Sequence, residues 1–190
     1  MSDKELFTKA ERKALIVCYP YLQPRRLVDD TIAADYDFEY IRGEHELPPG
    51  WLQFFLQACE DIREPLVTAG QLESFRFSQI KEKYGSMRLY TFGAPAEVHE
   101  ILDRYEFLSE QICCECGKPA VGLTKGWIYP YCREHMEQAL GRTKQDNYDK
   151  IEIVTGFTRR TSSAEGVTKK YIDCSDIWTR YLERMNTLDT

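Results

Sequence analysis

The spacing of apolar residues changes several times along the chain, and each change marks an element. From Phe7, the residues Ala10, Ala14, Val17 and Tyr21 recur at helical spacing, and Ser2 followed by Glu5 forms a capping box ahead of them. This predicts a first helix ending between Pro20 and Pro24. Residues 27–47 mix acidic with aromatic and aliphatic positions without a clear period, so irregular structure is expected, with one short strand over Phe38 to Ile41. Pro48-Pro49-Gly50 then introduces WLQFFLQACEDI, in which Trp51, Phe54, Phe55, Ala58 and Ile62 share a face that Leu52, Leu56 and Cys59 widen. This is the expected central helix. Pro65 has no backbone N–H to give the preceding turn, which predicts a stop or kink near Glu64 even though LVTA could resume the helix.

From Phe75 to Phe92 the pattern becomes FRFSQIKEKYGSMRLYTF, two aromatic and branched runs around a turn at Tyr84-Gly85-Ser86, and a β-hairpin is expected. Pro95 suits the first turn of a helix continued by Val98, Ile101, Leu102, Tyr105 and Leu108. Gly141 to Lys150 reads as a polar connector. Ile151 to Phe157 and Val167 to Ile172 read as strands joined by the loop TRRTSSAEG. A closing helix, capped by Ser175, carries the stripe Ile177, Trp178, Tyr181, Met185 and Leu188, with disorder expected beyond Asn186.

Between the third helix and the connector lies ICCECGKPAVGLTKGWIYPYCREH. Cys113 and Cys116 are two residues apart, Cys132 and His135 are two residues apart, and 15 residues separate the pairs. A two-residue gap lets two side chains of one tight turn, or of a first helical turn, reach the same ion, so the pattern predicts four zinc ligands. Gly117 allows the backbone angle a metal knuckle needs, and Pro119 stiffens its exit. Cys114 is an alternative ligand one residue along; pairing it with Cys116 would strain the knuckle, which favours Cys113. Three sulfurs and one imidazole complete a tetrahedron with no open position for a water, so structural zinc is expected rather than catalytic zinc. A knuckle, a short hairpin around Thr124-Lys125-Gly126 and a helix bearing the last two ligands resemble the treble-clef zinc finger over residues 112–140. Nuclease members of that group use a histidine on the hairpin or helix; here the only one is His135, a ligand.

The expected fold class is therefore α+β, with helices packed on antiparallel hairpins and an embedded treble-clef-like finger. Residues 1–140 are expected to form the main unit, and 141–190 a C-terminal hairpin and helix packed on it.

Composition sharpens this picture in three ways. A hydrophobic fraction of 43% with 12 Tyr, 9 Phe and 3 Trp supplies a core, which argues against disorder. No run of 18 apolar residues and no export signal is evident, so a cytoplasmic protein with reduced cysteines is expected. The net charge of −6 argues against a surface that tracks phosphate throughout, but the charge is uneven. Residues 1–75 carry 8 Lys and Arg against 14 Asp and Glu, and residues 141–170 carry 7 against 4.

No phosphate loop, dinucleotide fingerprint or nucleophile elbow is present. Glu44-His45-Glu46 could form an acid–base cluster but reads more simply as a solvated turn, and His99 has no ligand-like neighbour. The PPGW lead-in, the hairpin text QIKEKYGSMRLY and CCECGKP with a downstream GW and C-x2-H are similar to a group of small bacteriophage and prophage proteins, over about residues 48–140. That resemblance implies a phage accessory protein of the bacterial cytoplasm that works by binding a host protein.

No enzyme activity is expected. The leading expectation is a zinc-stabilised binder of a host protein, an inhibitor of a defence system being one such role, with an exposed loop at Arg159 to Gly166 as a contact element. The alternative is nucleic-acid binding through Arg76, Lys81, Lys83, Arg88, Arg159, Arg160, Lys169 and Lys170, with Tyr84 or Tyr90 stacking on bases.

Overall fold

The computed structural model describes residues 9–23, 25, 29, 31–32, 47–141, 147–163 and 166–188. The Ser2–Glu5 capping box, the strand expected over Phe38 to Ile41 and the Glu44-His45-Glu46 turn lie outside them. Helix α1 spans Lys9–Cys18, and a 3-10 turn over Pro20–Leu22 follows it. A second 3-10 turn, Pro49–Trp51, feeds directly into α2, Leu52–Thr68. Strands β1, Arg76–Lys83, and β2, Ser86–Phe92, form the expected antiparallel hairpin, and α3, Ala96–Ser109, returns beside it. The hairpin's two-residue connection has Tyr84 at φ 56° and Gly85 at φ 77°, the left-handed pair whose twist matches the flanking strands.

Three helices meet around the ring of Phe54 on α2. Tyr105 of α3 lies 4.7 Å from it, and Tyr181 of the last helix lies 4.8 Å away on another side. Trp51, Phe54, Phe55, Ile62 and Leu66 are fully buried, each contributing about 1.5–3 kcal/mol through removal of apolar surface from water. The inner face of the hairpin, with Phe77, Ile80, Met87 and Leu89, closes the same core. Polar ties fix α3 to β2: the Met87 N–H donates to Ser109 Oγ at 2.8 Å and the Leu89 N–H to Glu106 Oε1 at 2.6 Å.

Downstream come β3, Gly122–Thr124, β4, Pro130–Tyr131, and α4, Arg133–Leu140. Strand β5, Tyr148–Lys150, adds to β3 on the side away from β4, giving a three-stranded antiparallel sheet. Strands β6, Gly156–Ser163, and β7, Gly166–Asp173, form a third hairpin, and α5, Ser175–Leu188, closes the described chain. The whole is a mixed α/β fold with antiparallel hairpins. No helix among the described residues is long and apolar enough to cross a membrane.

Several expectations are corrected. Helix α2 does not stop at Glu64 but runs through Pro65 to Thr68, because a proline in the last turn removes only one hydrogen bond and Leu66 is held by the core. The Gly141 to Lys150 connector ends in a strand, since Tyr148–Lys150 finds the open edge of β3. Ile151 to Val154 is not strand; the pairing begins at Gly156. The stretch read as a loop, TRRTSSAEG, is mostly strand, with Arg159 opposite Lys170 and Arg160 opposite Lys169. Cross-strand pairing thus overrides its polar composition, and the exposed contact loop expected at Arg159 to Gly166 is largely the arm of a hairpin. Asp173 rather than Ser175 caps α5, accepting the Ser175 N–H and Oγ–H at 3.0 Å each. That helix continues past Asn186 to Leu188, although Leu188 is exposed.

A candidate metal centre

The four ligand atoms come from two short turns. Cys113 and Cys116 flank a tight turn in which the Gly117 N–H donates to the Cys113 carbonyl at 2.9 Å and the Cys113 N–H donates to the Lys118 carbonyl at 2.8 Å. Cys132 lies at the N-cap of α4, and His135 sits in its first turn, so both point back at the knuckle. The β3–β4 hairpin joins the two halves, with the Cys114 N–H donating to the Pro130 carbonyl at 3.0 Å.

The sulfurs of Cys113, Cys116 and Cys132 and a ring nitrogen of His135 all lie within 4.8 Å of one another. Cys116 Sγ is 3.7 Å from Cys132 Sγ, and His135 Nδ1 is 3.4 Å from Cys113 Sγ and 3.3 Å from Cys132 Sγ. A tetrahedron with metal–sulfur bonds of about 2.3 Å and metal–nitrogen bonds of about 2.0 Å sets its sulfurs about 3.8 Å apart and sulfur from nitrogen about 3.5 Å. The donor set and its spacing therefore fit one zinc-sized ion. Cys114 is outside the cluster; its side chain is buried in the main core.

Burial raises the thiol of Cys113 above its ordinary range and pushes that of Cys116 up to about 12. Without a cation both hold their protons at neutral pH, so metal capture must displace them.

The knuckle is welded to the core from two sides. On one side the Gly50 N–H donates to the Cys114 carbonyl at 2.8 Å, and the Trp51 indole N–H donates to the Ile112 carbonyl at 2.9 Å. On the other, the Tyr181 hydroxyl donates to the Gly117 carbonyl at 2.7 Å. A Cβ on Gly50 would lie 2.3 Å from the Cys113 carbonyl oxygen, and one on Gly117, whose φ is 79°, would meet the Tyr181 hydroxyl at 2.7 Å. PPGW and the knuckle are thus two halves of one contact. Ligand spacing alone does not mark Gly50, Trp51 or Tyr181 as part of the centre; the only trace of the contact in the sequence is the Gly50-Trp51 pair itself.

The eight candidate cations do not form one patch. Arg159 pairs with Asp103 and Lys170 with Glu100 at 3.0 Å, both carboxylates on α3, and Arg88 pairs with Glu106 at 3.2 Å. Arg76 donates to the Phe75 carbonyl at 2.6 Å. Lys81 and Lys83 each hold their ammonium 5.4 Å from a ring centroid, of Tyr90 and Tyr84 respectively. Arg160 and Lys169 are exposed, face each other across β6 and β7, and pair with no carboxylate among the described residues. His99 is exposed on α3.

Three comparisons, with protein-family models, with curated proteins and with solved structures, found no match to this chain.

Proposed function

We propose that the chain is a non-enzymatic binding protein whose fold is clasped by one structural zinc in a treble-clef-like finger. The observation that carries this reading is the Cys113, Cys116, Cys132 and His135 cluster: four protein donors at tetrahedral spacing leave no position for a reacting water. When bound, the ion supplies cohesion between the knuckle and α4. The chain's own residues do the rest, with Gly50, Trp51 and Tyr181 transmitting that cohesion to the main core. The test is metal analysis of the purified protein with a chelator titration followed by thermal unfolding. One zinc per chain and a large loss of stability on chelation support the reading; a bound solvent ligand on the zinc by absorption spectroscopy refutes it.

The partner we assign is a host protein, as the resemblance to phage accessory proteins implies, with inhibition of a defence system as the biological setting. Affinity capture from bacterial lysate tests it, and failure to retain any protein counts against it. A second reading, nucleic-acid binding, is favoured by a specific observation. The outward side of the β1–β2 hairpin carries Gln79, Lys81, Lys83, Tyr90 and Phe92, cations and aromatic rings on a chain of net charge −6, while α3 covers its Ser86 end and its Glu106 engages Arg88. Loss of binding with rising salt separates it from the first.

A further inference from the structure

Resting on that second reading, we infer that the outward face of the β1–β2 hairpin is a platform for single-stranded nucleic acid, on which Tyr90 and Phe92 stack bases while Lys81 and Lys83 hold phosphates. Tyr90 and Phe92 are 43% and 60% exposed and project from the same face of β2, two residues and therefore about 7 Å apart. Neighbouring nucleotides with unstacked bases can span that separation, and every base offers a π-face, so such a platform is sequence-tolerant.

The turn at the end of the hairpin extends the surface. Tyr84 takes φ 56°, a left-handed conformation that favours Gly or Asn, yet it presents a ring that is 73% exposed and packs nothing into the core. The neighbouring Gly85 lies against Ile128, which places the finger's hairpin tip and its 76% exposed Trp127 next to this turn. Each of these two hairpin tips thus carries a large, mostly exposed ring, the indole N–H of Trp127 donating to the Tyr129 hydroxyl at 3.0 Å.

A duplex is the poorer occupant. Its bases are already stacked, and the cations that would flank its backbone from the third hairpin, Arg159 and Lys170, are engaged by Asp103 and Glu100. Lys81 and Lys83 face no carboxylate among the described residues and only the weak attraction of exposed tyrosine rings, which a phosphate outcompetes.

The experiment is fluorescence anisotropy of the zinc-loaded full chain with labelled single-stranded DNA and RNA of about a dozen nucleotides, and with the matching duplexes, across a salt series. The single strand is expected to bind more tightly than the duplex. Tyr90→Ala/Phe92→Ala should weaken it by about 30-fold or more, and Lys81→Gln/Lys83→Gln should lower the salt slope by about 1.4. Both substitutions fall on exposed or half-exposed side chains, and unchanged metal content with unchanged far-UV circular dichroism confirms that the fold is intact. Tighter binding of the duplex overturns the platform. Binding that survives both double substitutions but is lost in Arg160→Glu/Lys169→Glu overturns it too, while leaving the nucleic-acid reading standing. No binding of any nucleic acid at low salt removes both.

Discussion

Replacing Gly50 by Ala is a one-carbon change that should damage a metal site from which Gly50 is absent. The added Cβ would sit 2.3 Å from the Cys113 carbonyl oxygen, 2.6 Å from the Gly117 nitrogen and 2.7 Å from the Cys116 nitrogen. All three are backbone atoms of the knuckle, so no side-chain rotation relieves the clash; either the knuckle or the start of α2 must move. Overpacking of that kind costs about 1–3 kcal/mol. Movement also stretches the Gly50 and Trp51 hydrogen bonds to Cys114 and Ile112. Leaving buried polar groups unsatisfied adds about 1–3 kcal/mol. The expected destabilisation is about 2–6 kcal/mol, a large share of a typical domain's 5–15 kcal/mol. Urea unfolding followed by tryptophan fluorescence measures it, and the rate of zinc transfer to a chromogenic chelator should rise in parallel. Gly70→Ala is the control, since nothing lies within 4 Å of its Cβ position and only its φ of +66° penalises a side chain, by about 1–2 kcal/mol. If Gly50→Ala proves no more destabilising than Gly70→Ala and releases zinc no faster than the parent, the coupling of knuckle to core described above is wrong.

Cys113→Ser should lose stoichiometric zinc whereas Cys114→Ser should retain it, because only the former's sulfur lies within the donor cluster; inductively coupled plasma analysis decides. Asp61→Ala removes a carboxylate that accepts from both Arg180 guanidinium nitrogens, at 2.7 and 2.6 Å, and from the Tyr105 hydroxyl at 2.7 Å. Discounted for the half-exposed Arg180, the expected loss is about 2 kcal/mol in chemical unfolding. Burial raises the phenols of Tyr21, Tyr105 and Tyr181 above their ordinary value. The folded state therefore holds these protons more tightly than the unfolded chain does, and stability is fully present below about pH 10 and falls above it. Three such groups should remove about 4 kcal/mol by pH 11, and the part of the tyrosinate absorbance that comes from these buried rings should appear together with unfolding.

Much of this architecture was legible because local pattern and tertiary demand agree. The stripe from Trp51 to Ile62 becomes α2, and FRFSQIKEKYGSMRLYTF becomes a hairpin whose Tyr84-Gly85 turn is where the chain text puts it. The C-x2-C and C-x2-H spacings bring their donors together because each gap is set by a single turn of chain. What escaped is non-local. The strand Tyr148–Lys150 exists because β3 has an open edge, which no feature of YDK announces. The arms of β6 and β7 pair through Thr, Ser, Arg and Lys, a composition that reads as loop, and α3 supplies the carboxylates that hold their bases. Pro65 was read by its local rule, yet the burial of Leu66 carries the helix past it.

The tie between Tyr181 and Gly117 spans 64 positions of chain, and the one between Trp51 and Ile112 spans 61. During synthesis, then, the donors emerge after one flank of their seat and well before the other. An ion captured in that interval would be held against α2 alone, and its exchange would slow only when α5 arrives. A metal seated at this cluster would then be captured early and sealed late, and shortening the chain before residue 175 should yield a protein that still binds zinc but gives it up readily.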